Sequence, residues 1–134
     1  MTLLDIFRLL LAALLCMLGL LHIIWFLAAW TPIRAGVRDG PWVLPGNVTI
    51  RSPIGRILGL LALAVVAIFV FAAAGLFLQQ PWWAGWAEMG VFLSFGAVVP
   101  WLRQSPGSTA ITAIIADIVL MFVLALDLSV DVIA

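Results

Sequence analysis

The chain has 134 residues, 66% of them hydrophobic and 9% charged, with six basic and six acidic residues summing to zero net charge. So apolar a chain lacks the polar surface that a soluble domain needs, and the balanced charge gives no basic footprint for a nucleic-acid partner. The class that fits is a small integral membrane domain whose solvent is the lipid bilayer.

Four apolar runs, 9–29, 57–78, 83–102 and 110–126, each approach the ~20 residues with which a helix crosses a bilayer. The expected fold is all-α. It is a four-transmembrane-helix bundle, 1–134 as one domain, with spans near 7–30, 56–78, 82–102 and 109–128 and one long irregular loop between the first two.

The first run could be taken for a secretory signal. However, it continues for about twenty residues after Arg8, longer than a signal h-region, and Ala28-Ala29-Trp30 offers no clean cleavage site. A retained helix is expected. The single cysteine, Cys16, lies inside this run without a partner and reads as a packing residue.

The connection 31–56 contains Pro32, Gly36, Gly40, Pro41, Pro45, Gly46 and Pro53, which exclude a long helix. Pro45-Gly46 suits the centre of a type II turn, so 42–50 is either a small hairpin or an unpaired loop. Gly55 and Gly59 form a GxxxG at the start of the second span, read as packing within the bundle in preference to dimerisation. Gln79-Gln80-Pro81-Trp82 is a tight connection in which Pro81 can open the third helix. Pro100 is expected to end or bend that helix, and Ser108-Thr109 to cap the fourth.

Tryptophans cluster at the span ends: Trp30, Trp42 and Trp101 at one predicted interface, Trp82, Trp83 and Trp86 at the other. The long and third loops carry Arg34, Arg38, Arg51, Arg56 and Arg103, whereas the opposite side has only Arg8 beside Asp5, Asp127 and Asp131. Because positive residues resist translocation, the loops 31–56 and 103–108 are expected in the cytoplasm and both termini outside.

Three ionisable residues fall within the spans: His22, Glu88 and Asp117. A charge in lipid is costly, so His22 and Asp117 are expected to face the bundle interior, while Glu88, which follows Ala84 and Gly85, is expected to meet water or the partly polar bundle end near Gln79 and Gln80. At a rise of ~1.5 Å per residue, His22 and Asp117 each lie about 12 Å from the arginine-rich side, and Glu88 about 9 Å from the other. The first two therefore share a level, and small residues flank both on their helical faces. Either they form a His22–Asp117 pair, or each is satisfied separately by water, a backbone carbonyl or a neutral protonation state. At the outer end, Arg8 and Asp127 match in height and form a candidate ion pair, which requires the first and fourth helices to be neighbours.

Trp25 follows His22 by three residues on nearly the same face. An aromatic wall beside an imidazole suggests a site for a quinone or tetrapyrrole, histidine being a common axial haem ligand; ordinary packing is the other reading. Motifs for a hydrolase triad, a zinc protease, a redox CxxC, a haem-attachment CxxCH and a phosphate-binding glycine loop are absent from the sequence. No catalytic residue and no metal set is therefore assigned.

The run Leu21-His22-Ile23-Ile24-Trp25, with Leu44-Pro45-Gly46 and Ser52-Pro53-Ile54-Gly55 leading into the second span, resembles a family of small uncharacterised four-helix bacterial membrane proteins and, more distantly, the DoxX-like superfamily. The sequence departs from that pattern at Phe26-Leu27-Ala28-Ala29, where a glycine-rich stretch is expected. The resemblance implies a four-helix fold in a bacterial inner membrane and no particular activity. The leading functional expectation is a small accessory or structural subunit, non-enzymatic and without cofactor, packing against a larger membrane-protein complex. The alternatives are a quinone- or tetrapyrrole-binding membrane protein using His22 and Trp25, and a small transporter or channel component.

Overall fold

The computed structural model describes residues 2–38 and 40–125, whose regular elements are helices, with no strand among them. Helix α1 spans Leu3–Leu21 and opens with a capping box: Thr2 accepts from the Asp5 backbone N–H, while the Asp5 carboxylate accepts from that of Thr2. After a one-residue break at His22, α2 continues over Ile23–Trp30. The His22 backbone N–H turns to Gly19 O at 3.0 Å, tightening the turn, and its imidazole Nδ1 donates to Leu18 O at 2.6 Å. A side chain has entered the i→i−4 ladder, a recognised cause of a helix kink.

Helix α3 spans Pro53–Phe77. It begins ahead of the expected residue 56 because Ser52 caps the Gly55 N–H and Pro53 occupies the first position, where a missing N–H costs nothing. It ends with Gln79 in the left-handed region at φ +58°, the Gln80 N–H reaching back to Gly75 O and that of Gln79 to Leu76 O. This paired closure satisfies carbonyls that the helix end leaves free. Pro81 lies in the connecting turn, so α4 starts at Trp83 and runs to Val98, followed by a 3-10 turn over Val99–Trp101 that contains Pro100. Helix α5 is described over Thr109–Ala125.

Helix α3 is the centre of the packing: α1, α2 and α4 all lie against it, and α5 packs on α4. Small residues set the spacing. A Cβ on Gly19 would stand 2.9 Å from Phe69 Cβ, and one on Gly59 would stand 2.7 Å from Ala29 Cβ. Gly55 faces the carbonyls of Thr49 and Ile50 with no room for a side chain. Both glycines of the GxxxG are thus used inside this chain.

The long loop is tied to the bundle end by backbone contacts, Arg38 N–H to Gln104 O (2.6 Å) and Val43 N–H to Pro100 O (3.0 Å). Its 42–50 segment is an irregular loop closed by a backbone bond from Trp42 N–H to Val48 O and by the Trp42 indole N–H donating to Pro45 O, with Gly46 at φ +106° as a type II turn needs. Arg51 then donates to Ala28 O and Thr31 O, covering the carbonyl end of α2.

Two stretches, Leu3–Trp30 and Pro53–Phe77, are long and apolar enough to cross a membrane; Thr109–Ala125 is a shorter apolar helix. The tryptophans divide differently from the expected belts. Trp30, Trp82 and Trp86 are exposed and Trp42 partly so, but Trp83 and Trp101 are buried inside the bundle ends.

Candidate functional site

The kink at the α1–α2 junction aims His22 into the middle of the molecule, where it is fully buried between Trp25 and Phe69, ring centroids 5.4 and 5.9 Å away. Its Nε2 lies 2.6 Å from Ser94 Oγ on α4, and the same hydroxyl lies 2.6 Å from Asp117 Oδ2 on α5. All three side chains are fully buried. The expected direct pair is therefore corrected. His22 and Asp117 are joined through Ser94, whose hydroxyl lies between the two side chains, and α1 meets α5 only marginally.

Counting hydrogens constrains the chemistry of this chain. Leu18 O can only accept, so Nδ1 of His22 carries a hydrogen. The Ser94 hydroxyl has one hydrogen, which it gives to Asp117 or to His22 but not to both. If Asp117 takes it, Nε2 must donate to Ser94. If His22 takes it, the Asp117 carboxyl must donate to Ser94. Both arrangements hold three hydrogens in three bonds and both have zero net charge. A proton can pass between Asp117 and His22 through Ser94 without changing the charge of the buried set. Asp117 Oδ1 is buried with no partner among the described residues, so the chain ends there.

The same three residue types build hydrolase triads, but in another order. In a hydrolase the carboxylate orients the histidine and the serine stays open to substrate. Here a backbone carbonyl holds Nδ1, the carboxylate sits on the serine, and the hydroxyl is sealed from solvent. The arrangement ties α1, α4 and α5 together and presents no nucleophile.

The expected quinone or tetrapyrrole site at His22 and Trp25 does not fit these residues. Both imidazole nitrogens are already bonded, and the fully buried Trp25 donates its indole N–H to Ser105 Oγ at 2.9 Å, which in turn donates to Trp101 O. Axial ligation would need a ring nitrogen free, and a flat ligand would need space where Phe69 and Trp25 already pack.

Glu88 stays apart from the buried set. It is exposed on α4 and borders a groove of about 180 Å³ with Phe92, Met121, Leu124 and Ala125. Arg8 pairs with Asp5 at 3.1 Å and, with the Gln79 amide oxygen turned toward it, donates to that oxygen from Nη1 and Nη2. Asp127, its expected partner, lies outside the described residues, as does Asp131. Among the described residues no group of three or more His, Cys, Asp or Glu could hold a metal ion.

Ser94 is the site residue that sequence reasoning missed. A serine inside a helix commonly satisfies itself on its own backbone and so carries little signal. The depth arithmetic applied to His22 and Asp117 would have found it, since it lies eight residues before Leu102, the end of the expected span. No family model, curated protein or solved structure matches this chain.

Proposed function

We propose that the chain is an integral membrane protein that crosses the bilayer four times and serves as a small accessory subunit, packed against larger membrane partners. The observation that carries this reading is an inverted distribution of polarity. Large apolar side chains such as Leu10, Met17, Ile57, Phe92, Ile115 and Phe122 stay exposed along the helices, while His22, Ser94 and Asp117 turn inward and bond to one another. In water that surface would be a severe aggregation liability; in lipid it is ordinary, and it leaves apolar area for a partner. At ~1.5 Å per residue, α4 alone covers about 24 Å and reaches a hydrocarbon thickness near 30 Å with its 3-10 extension.

The same proposal includes kinship with the small four-helix bacterial membrane proteins, distantly DoxX-like, an inner-membrane location, cytoplasmic loops at 31–56 and 103–108, and outer termini. Full burial of the His22–Ser94–Asp117 chain supports a structural tie over a conduction path. The test is to tag the chain at its native locus, confirm its retention in alkaline-washed membranes, and size it in mild detergent. The expected result is a stoichiometric assembly well above the chain's own 14.5 kDa. Migration solely as the free chain would contradict the accessory role, and release by alkaline washing would contradict the membrane assignment.

A further inference from the structure

Two adjoining cavities, of about 390 and 290 Å³, share Trp30, Arg51 and Arg56 at the junction of α2 and α3. Arg51 anchors one side by its bonds to Ala28 O and Thr31 O, which engage Nε and Nη2 and leave Nη1 available to a ligand. Arg56 stacks over the Trp30 ring, 5.6 Å from its centroid, and the indole N–H donates to Arg56 O. The two guanidiniums are thus positioned by neighbours that bring no opposing negative charge. Arg56 also lies in the first turns of α3, where the helix dipole already makes the potential positive. A cation there is electrostatically unfavourable until an anion joins it. By sequence, the loops on this side carry five arginines and one acid, Asp39.

The cavity has a direction. From the arginines the larger cavity continues to Ile57 and Leu60, both exposed on the outward face of α3. A free anion would use only the polar end, whereas a molecule with a phosphate and a hydrocarbon chain would use both. We infer that Trp30, Arg51 and Arg56 form a binding site for the phosphate of an anionic phospholipid, its acyl chain running along Ile57 and Leu60. Basic pockets at the cytoplasmic ends of spanning helices are suited to such headgroups, and paired guanidiniums match phosphate oxygens.

This inference rests on the membrane reading, so the experiment measures insertion separately. The full chain is reconstituted in nanodiscs of phosphatidylcholine with a minor fraction of phosphatidylglycerol, and co-migration with the discs reports insertion. Lipids retained after gentle detergent extraction are counted by native mass spectrometry. The wild type should retain phosphatidylglycerol preferentially. Arg56 makes no side-chain hydrogen bond among the described residues, so Arg56→Gln should lower that retention about fivefold, the equivalent of one basic contact at an anionic surface. Arg56→Lys should fall between the two. Arg103→Gln, equal in charge change but outside the cavity, should leave retention unchanged.

Inserted protein with no lipid preference, or equal losses in the Arg56 and Arg103 variants, would overturn the site while leaving the membrane reading intact. Failure to insert would overturn the reading beneath it. Inorganic phosphate titrated into phosphatidylcholine discs separates the sources. Saturable binding that depends on Arg56, without lipid preference, would replace the lipid with a free anion and overturn the inference as stated.

Discussion

The imidazole of His22 reaches Asp117 only through the hydroxyl of Ser94, which stands 2.6 Å from each. Removing that one oxygen orphans a ring nitrogen on α1–α2 and a carboxyl oxygen on α5 simultaneously. Each buried unsatisfied group costs about 1–3 kcal/mol, so Ser94→Ala should destabilise the fold by about 3 kcal/mol. Thermal unfolding in detergent measures this. Replacing all three groups together, as His22→Phe, Ser94→Ala and Asp117→Leu, should restore much of the loss, since an apolar core of similar volume needs no hydrogen bonds. A triple variant less stable than Ser94→Ala would contradict a purely structural tie.

Glycine substitutions should sort by what faces each Cα. Gly59→Ala places a methyl 2.7 Å from Ala29 Cβ and should cost about 1–3 kcal/mol by forcing α3 away from α2. Gly85 has nothing within 4 Å, so Gly85→Ala in the same assay should stabilise α4 by about 0.5–1 kcal/mol through backbone entropy alone. Equal effects at the two positions would mean that the α2–α3 contact is looser than described.

These contrasts show what sequence could and could not deliver. The helix positions followed from apolar runs and from Pro, Gly and Ser at their ends, because those residues act locally. Pro53 illustrates the limit. It reads as a loop residue until Ser52 is recognised as the cap that makes it the first residue of α3. That His22 and Asp117 lie at one level of their helices was also legible, since level depends only on residue count. Rotation and neighbour order were not. Nothing in the count says that the Ser94 hydroxyl lies between the partners, that Glu88 faces outward, or that Trp83 and Trp101 are buried. The basic cavity at Trp30 was likewise invisible, for it depends on Arg51 folding back onto the carbonyl end of α2.

The packed state of His22 makes a spectroscopic prediction. Purified protein should show no visible absorption band, and added haemin should not bind in stoichiometric amount, because both ring nitrogens are engaged. A stoichiometric Soret band lost in His22→Ala would show that the ring leaves Ser94 to bind a cofactor.

Trp25 and Ser105 lock the α2 end of the bundle to the third loop through a 2.9 Å bond. Ser105→Ala leaves a buried indole N–H without its acceptor and should cost about 1–3 kcal/mol. Tryptophan emission near this end should shift as the indole seeks water. Unchanged stability and emission would indicate that water already reaches Trp25.

The alternation of loops across the bilayer tests the central claim most directly. Single cysteines at Asn47, Gln80 and Ser108, all exposed, would be placed in a Cys16→Ala background and probed with an impermeant maleimide. Four spans with arginine-rich loops inside predict labelling of Gln80→Cys in intact cells, and of Asn47→Cys and Ser108→Cys only after permeabilisation. Finding Gln80→Cys and Ser108→Cys accessible from the same side would contradict the four-span membrane bundle.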